Sequence, residues 1–301
     1  MEMKLADRMV GQGSPVFVVA EVSANHNQKY KLAVETIHAA KDAGADAVKM
    51  QTYTPDTITF DCDNEYFQIR SGTIWDGTTL HKLYREAYTP WEWQPDLKKL
   101  AEGLGLVWFS TPFDETAVDF LEDLGVGLYK IASFELVDIP LIRKVAKTGK
   151  PVIMSTGMAT LAEISDAVAA AREAGARGIA LLKCTSAYPS DPADSHLRTI
   201  PHMAEAFRVP VGLSDHTLGI AVPVAAVSLG ACIIEKHITL SRDLPGPDSP
   251  FSLEPSEFKA MVQAVRVCEK ALGSVSYEAT EKEVASRVFR RSLFVVRDMA
   301  A

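Results

Sequence analysis

The chain has 301 residues, 47% of them apolar, and a formal net charge of −8. That length buries a large core, and the acidic balance argues against nucleic acid and anionic membranes as partners. No apolar leader opens the sequence, no uninterrupted apolar run of membrane-spanning length follows, and Cys62, Cys184, Cys232 and Cys268 show no CxxC pairing, so a soluble, cytoplasmic protein with reduced thiols is expected.

Residues 1–15 predict a small hairpin or cap. VFVVAEVS (16–23) follows as a strand, then a helical pattern at 30–44 and the strand DAVKMQTY (46–53). Residues 54–90 form one long insertion of aromatic and acidic content, and loops of that length are usually functional. The strand GLVWFSTP (105–112), the helix 114–125, and the strands GLYKIAS (127–133) and KPVIMSTG (150–157) come next. Then come the helix 160–175, the strands GIALLKCTS (178–186) and VPVGLSDH (209–216), the helix 218–230 and the strand ACIIEKHI (231–238). Near-continuous apolar strands are parallel strands covered on both faces. Eight strands with helices between them predict an α/β fold, a closed (β/α)8 TIM barrel over 16–275 with a short N-terminal cap, rather than a doubly wound sheet.

In such a barrel the chemistry sits at the C-terminal ends of the strands. Those ends carry Glu21, Lys49, Gln51, Thr111, Lys130, Ser133, Ser155, Ser186, Ser214, His216, Glu235 and His237, whereas the opposite ends are apolar. Helix capping by Ser and Thr explains part of this asymmetry but not the Lys, Glu and His residues. Alternate strand residues face opposite sides, so Glu21, His216 and His237 share the interior on strands that become neighbours when the barrel closes. Two imidazoles and a carboxylate with open positions suit a divalent transition metal such as Mn, Fe, Co or Zn. The blander reading of each His is a hydrogen-bonded rim residue. Asn25 and His26, in SANHN, stand at the same end as candidates for substrate contact. Lys49 and Lys130, with Thr111, Ser133, Ser155, Ser186 and Ser214, would cradle a phosphate and a carboxylate. A Schiff-base aldolase is the rival mechanism, but Lys183 and Lys236 have the parity of the helix-facing side and read as snorkelling residues.

The segments AEVSANHN, DAVKMQTY, FSTPFD, YKIASFE, MSTGMATLAEI, LLKCTSAYP, GLSDHTLG, EKHIT and GPDSPFSLEP, in this order over almost the whole chain, resemble the sialic acid synthase family. TYTPDTITFDCDNEYF (52–67), REAYTPWEWQPDLK (85–98) and ASFELVDIPLI (132–142) resemble one branch of it, apart from the N-acetylneuraminate and legionaminate branches. The resemblance implies condensation of phosphoenolpyruvate with an open-chain amino sugar. It places the family's metal ligands on His216 and His237, with Mn2+ ahead of Mg2+ or Co2+. Phosphoenolpyruvate contacts fall on Lys49, Thr111, Lys130, Ser133, Ser155 and Ser214, and Ser186 stands where the sialic acid branch has Asn. Sugar contacts fall on Gln51, Tyr188 and Asp248, and Glu21 and Glu135 join the site as proton carriers. The family also carries a C-terminal antifreeze-like domain that gives an Arg to the partner subunit's active site, which implies a homodimer of the full-length protein. Residues 276–301 read as the start of the linker to that domain. The expectation is a barrel that binds metal and phosphoenolpyruvate but turns over poorly, and full turnover by these 301 residues would refute it.

Overall fold

The structure, a computed structural model, describes residues 2–70, 72–298 and 300. Two compact units divide the chain, Met1–Ala271 and Leu272–Ala301, the first ending slightly before the boundary expected at 275. β1 (Glu2–Leu5) and β2 (Arg8–Gly11) form an antiparallel hairpin. The barrel proper runs β3 (Phe17–Glu21), α1 (Tyr30–Asp42), β4 (Ala47–Thr52), α2 (Pro55–Ile58), α3 (Leu80–Ala87), α4 (Gln94–Gly103) and β5 (Val107–Pro112). It continues with α5 (Glu115–Asp123), β6 (Tyr129–Ile131), α6 (Ile139–Lys147), β7 (Val152–Ser155), α7 (Leu161–Glu173) and β8 (Ile179–Cys184). α8 (Thr199–Phe207), β9 (Val211–Asp215), α9 (Ala221–Ser228), β10 (Ile233–His237) and α10 (Pro255–Leu272) complete it. Every strand from β3 to β10 is parallel to its neighbour, and β10 pairs with β3 to close an eight-stranded barrel. The second unit contains α11 (Glu281–Ser286), opened by a Thr280–Glu283 capping box. Among the described residues no helix is long and apolar enough to cross a membrane.

Strand alternation builds two separate cores. Val18, Ala20, Val48, Met50, Ile131, Leu181, Leu213 and Ile234 face outward and pack with the helices. Phe17, Val19, Ala47, Phe109, Leu128, Ile153, Ala180, Leu182 and Ile233 face inward and meet Met3, Leu5 and Val10 of the hairpin. The cap is therefore the floor of the barrel, and it keeps water out of the interior at the end away from the polar residues. Gly212 completes this layer without a side chain, because a Cβ there would run into the Ile233 carbonyl and Leu182. Lys236, expected to snorkel, is instead 1% exposed and ion-paired with Asp215 on the outer wall. A buried ammonium needs such a partner, and the adjacent strand supplies it.

Candidate active site

One layer above the apolar interior, the inward positions turn polar on nearly every strand. Lys49 and Gln51 come from β4, Thr111 from β5, Lys130 from β6, Ser155 from β7 and Cys184 from β8. Ser214 comes from β9 and Glu235 and His237 from β10, whose register sets Glu235 beside Ser214 and His237 beside Glu21 of β3. Glu235 is the centre of this layer. Its Oε1 accepts from Ser214 Oγ at 3.0 Å and lies 3.5 Å from Lys49 Nζ and 3.4 Å from Lys130 Nζ. Lys49 Nζ is also 2.7 Å from Glu21 and donates to Thr111 Oγ1 at 3.4 Å. Gln51 Nε2 donates to Glu21 at 3.1 Å and to Ser23 Oγ at 2.8 Å.

Burial and pairing divide the protons. Burial pushes Glu21 up to about 7 even though Lys49 attracts its charged form. Burial acts on Glu235 in the same direction, but two ammoniums and the Ser214 hydroxyl outweigh it and hold this carboxyl below its usual range. Burial lowers Lys130 despite Glu235, whereas for Lys49 the pull of Glu21 and Glu235 overcomes burial and raises it. Glu135, just after β6, is pushed up to about 7 by burial, with Lys130 offsetting part of the effect.

Beside this cluster stand the two histidines, ring centroids 5.4 Å apart. His216 Nδ1 lies 2.9 Å from the Thr185 carbonyl, which only accepts, so Nδ1 is a donor and, in the neutral ring, Nε2 keeps its lone pair. Burial disfavours the charged ring, but Cys184 and the Thr185 carbonyl outweigh it and raise His216 above its ordinary value. Burial, with His216 nearby, drives His237 well below the usual imidazole range, and its buried Nδ1 has no hydrogen-bond partner. Asp248 Oδ2 is 4.0 Å from that nitrogen.

The structure brings together Glu21, Lys49, Gln51, Thr111, Lys130, Ser214, His216 and His237, with Tyr188 at 4.4 Å from the His216 ring. Ser133 Oγ accepts from the Gly157 amide at 3.1 Å. A Cβ at Gly157 would collide with both Ser133 and Ser186, so glycine lets this loop close over the two hydroxyls. Ser155 Oγ is buried and unpartnered, ready for an acceptor that a ligand brings. Glu21 has the expected inward parity yet turns to Lys49 and Gln51; Asp248 is the carboxylate beside His237. Asn25 and His26, expected to contact substrate, have their polar groups engaged in loop packing. Asn25 is 1% exposed and braces the loop after β10, donating to Ile238 O at 2.8 Å and Ser252 Oγ at 2.9 Å and accepting from Ser249 Oγ. His26 is fully buried, with Nε2 3.0 Å from Thr89 Oγ1 and Nδ1 accepting from the Gln28 amide.

Sequence reasoning gave no role to Glu235 or Cys184, although both have the inward parity of His237 and Ser186. Burial pushes the Cys184 thiol up, and His216, Ser133 and Lys130 pull it down to about 7. Trp75 and Phe251 were also missed, and nothing local marks them, because chain folding alone carries them to the site.

The model of the NeuB family matches residues 36–277. The chain belongs to the NeuB family. Among its relatives, a pseudaminic acid synthase from Helicobacter pylori is 47% identical over 95% of this chain and 84% of its own length. An N,N'-diacetyllegionaminic acid synthase from Legionella pneumophila is 38% identical over 96% of this chain and 82% of its own. The crystal structure of an N-acetylneuraminic acid synthetase from Leptospira borgpetersenii, in complex with citrate, matches with a TM-score of 0.85 at 32% identity, covering 97% of each chain. The segments that set one branch apart thus accompany the higher identity to a pseudaminate enzyme.

The NeuB resemblance implies a divalent metal, and the donor set fits one. His216 offers Nε2 when its ring is neutral, His237 offers an orphaned buried nitrogen, and both imidazoles are buried. Among the described residues no three His, Cys, Asp or Glu side chains group closely enough to hold a metal without other ligands. Two such protein ligands would leave positions open for substrate and water, as a catalytic rather than a structural site requires.

Proposed function

We propose that this chain condenses phosphoenolpyruvate with the open-chain form of 2,4-diacetamido-2,4,6-trideoxy-L-altrose, giving pseudaminic acid and phosphate by C–O cleavage in the cytoplasm, the full-length protein working as a homodimer. The observation that carries the reaction class is the pair of buried ammoniums, Lys49 and Lys130, ringed by Thr111, Ser155 and Ser214 beside two imidazoles. A small anion with both phosphate and carboxylate matches that ring. The choice of sugar is supported by the 47% identity to a pseudaminate enzyme against 38% to a legionaminate enzyme.

His216 and His237 would hold a divalent cation, Mn2+ ahead of Mg2+ or Co2+, which when bound polarises the sugar aldehyde as a Lewis acid. The lysines fix phosphoenolpyruvate at both anionic ends, so that its C3 faces the aldehyde carbon. As the new C–C bond forms, the aldehyde oxygen takes a proton and positive charge develops at C2. Water adds at C2, releasing a proton, and the C2–O bond breaks to expel phosphate. Glu135 and Glu21, both near 7, are suited to give and take those protons at neutral pH. Lys183 does not support a Schiff base: it lies on the outer face of β8 and donates to the Cys184 carbonyl at 2.9 Å.

The test is phosphate release from phosphoenolpyruvate with Mn2+, against N-acetylmannosamine and the diacetamido-trideoxy hexoses. Slow turnover is expected with the L-altro sugar, and none with EDTA. Preference for N-acetylmannosamine or for the legionaminate precursor would refute the sugar assignment. Borohydride trapping of an enzyme–carbonyl adduct, with activity surviving EDTA, would refute the mechanism.

A further inference from the structure

The insertion after β4 carries one aromatic side chain, Trp75, to the site. Ile69 N donates to Thr78 O at 2.9 Å, Gly77 N to Ile69 O at 3.1 Å and Leu80 N to Phe67 O at 2.9 Å, which folds the segment back on itself before α3. Thr79, buried at the start of α3, caps that helix and anchors the return. The fold-back carries Trp75 to the C-terminal face of the barrel. Its indole Nε1 donates to Pro247 O at 2.9 Å, joining the insertion to the loop that bears Asp248. The indole centroid is 5.3 Å from Tyr188 and 6.4 Å from Phe251. Tyr188 in turn lies 4.4 Å from His216, and Phe251 lies 5.0 Å from His237. A chain of aromatic contacts therefore leads outward from the two imidazoles to Trp75, with Phe251 buried behind it and Tyr188 and Trp75 partly exposed.

We infer that Trp75 sets sugar specificity: with Tyr188, and backed by the buried Phe251, it forms the wall that takes the apolar end of the sugar, the C6 methyl and the 4-acetamido methyl. The inference rests on the proposed function, which puts the aldehyde at the histidines and so turns the far end of the open-chain sugar toward Trp75. The indole N–H is already spent on Pro247, so the face offered to the sugar has no hydrogen-bonding group. A hydroxyl placed against it loses its water without a partner, whereas a methyl gains contact area. The wall thus favours a hexose that has exchanged hydroxyls for hydrogen and acetamido groups.

The measurement is kcat/KM for the 2,4-diacetamido-2,4,6-trideoxy hexose and for its 6-hydroxy counterpart of the same configuration, in the wild-type chain, Trp75→Phe and Trp75→Ala. The wild type is expected to prefer the methyl sugar by roughly ten- to a hundred-fold, the range for one apolar group in such a pocket. Trp75→Phe should keep most of that preference. Trp75→Ala should bring it close to unity through the sugar KM, with the KM for phosphoenolpyruvate unchanged. An unchanged ratio in Trp75→Ala, or equal loss on both sugars, overturns the inference and leaves the proposed function standing. A wild type that prefers N-acetylmannosamine overturns the proposed function itself.

Discussion

At the residue scale, the site is a problem of placing charges where water is scarce. Two lysines and two carboxyls sit nearly solvent-free, and Glu235 remains ionised because it faces both ammoniums, whereas Glu21 faces one. Glu135 is the clearest case of a carboxyl moved by burial. Its ordinary value of 4.5 becomes about 7 in the folded chain. Between those values the folded chain holds a proton that the unfolded chain has released, so stability falls as pH rises from about 4.5 to about 7. Glu135→Gln removes this dependence. Its urea midpoint is expected to gain on the wild type on going from pH ~5 to pH ~8, and a gap that stays constant across that range would contradict the raised carboxyl.

At the scale of elements, parity decides which side chains meet. The inward set Ala47, Lys49 and Gln51 on β4 passes from apolar floor to polar roof within one strand, and β10 does the same with Ile233, Glu235 and His237. Elements also need ties outside the chemistry. Asp46, just before β4, accepts from the Val18 amide at 3.0 Å and pairs with Arg8 of β2 and Arg266 of α10, each at 2.8 Å. Asp46→Ala leaves a buried backbone N–H unpaired and removes both ion pairs. It is expected to cost about 2 kcal/mol in chemical denaturation, most of it from the N–H because both arginines are partly solvated. The KM for phosphoenolpyruvate should not change, because the Asp46 carboxylate bonds Val18, Arg8 and Arg266 and neither lysine of the site. A substantial rise in that KM would show that the tie also shapes the site.

At the scale of the whole molecule, stability and chemistry occupy opposite ends of one barrel. The hairpin closes the floor with Met3, Leu5 and Val10, and the polar layer opens at the other end. Leu5 is fully buried, so Leu5→Ala should lower unfolding stability by about 3 kcal/mol while kcat stays within two-fold or so of wild type. A large fall in kcat at unchanged fold would show that the two ends are coupled.

The sequence by itself determined the barrel, because apolar runs of strand length alternating with helical patterns have only a few ways to bury both faces of each strand. It also determined which residues line the catalytic end, since alternation assigns Lys49, Lys130, His216 and His237 to one side without further information. Only the tertiary structure decided who pairs with whom. Glu21 shares parity with the histidines, yet the barrel's stagger brings Lys49 Nζ to 2.7 Å from it, and Asp248 arrives beside His237 from a loop. Asn25 and His26 stand at the catalytic end in sequence order, but the backbone turns them into the loop packing and away from the open face. Trp75, from the insertion, reaches Tyr188 from more than a hundred residues away. Periodicity reports the direction of a side chain from its own strand, whereas contacts between loops depend on how every strand is staggered around the closed barrel.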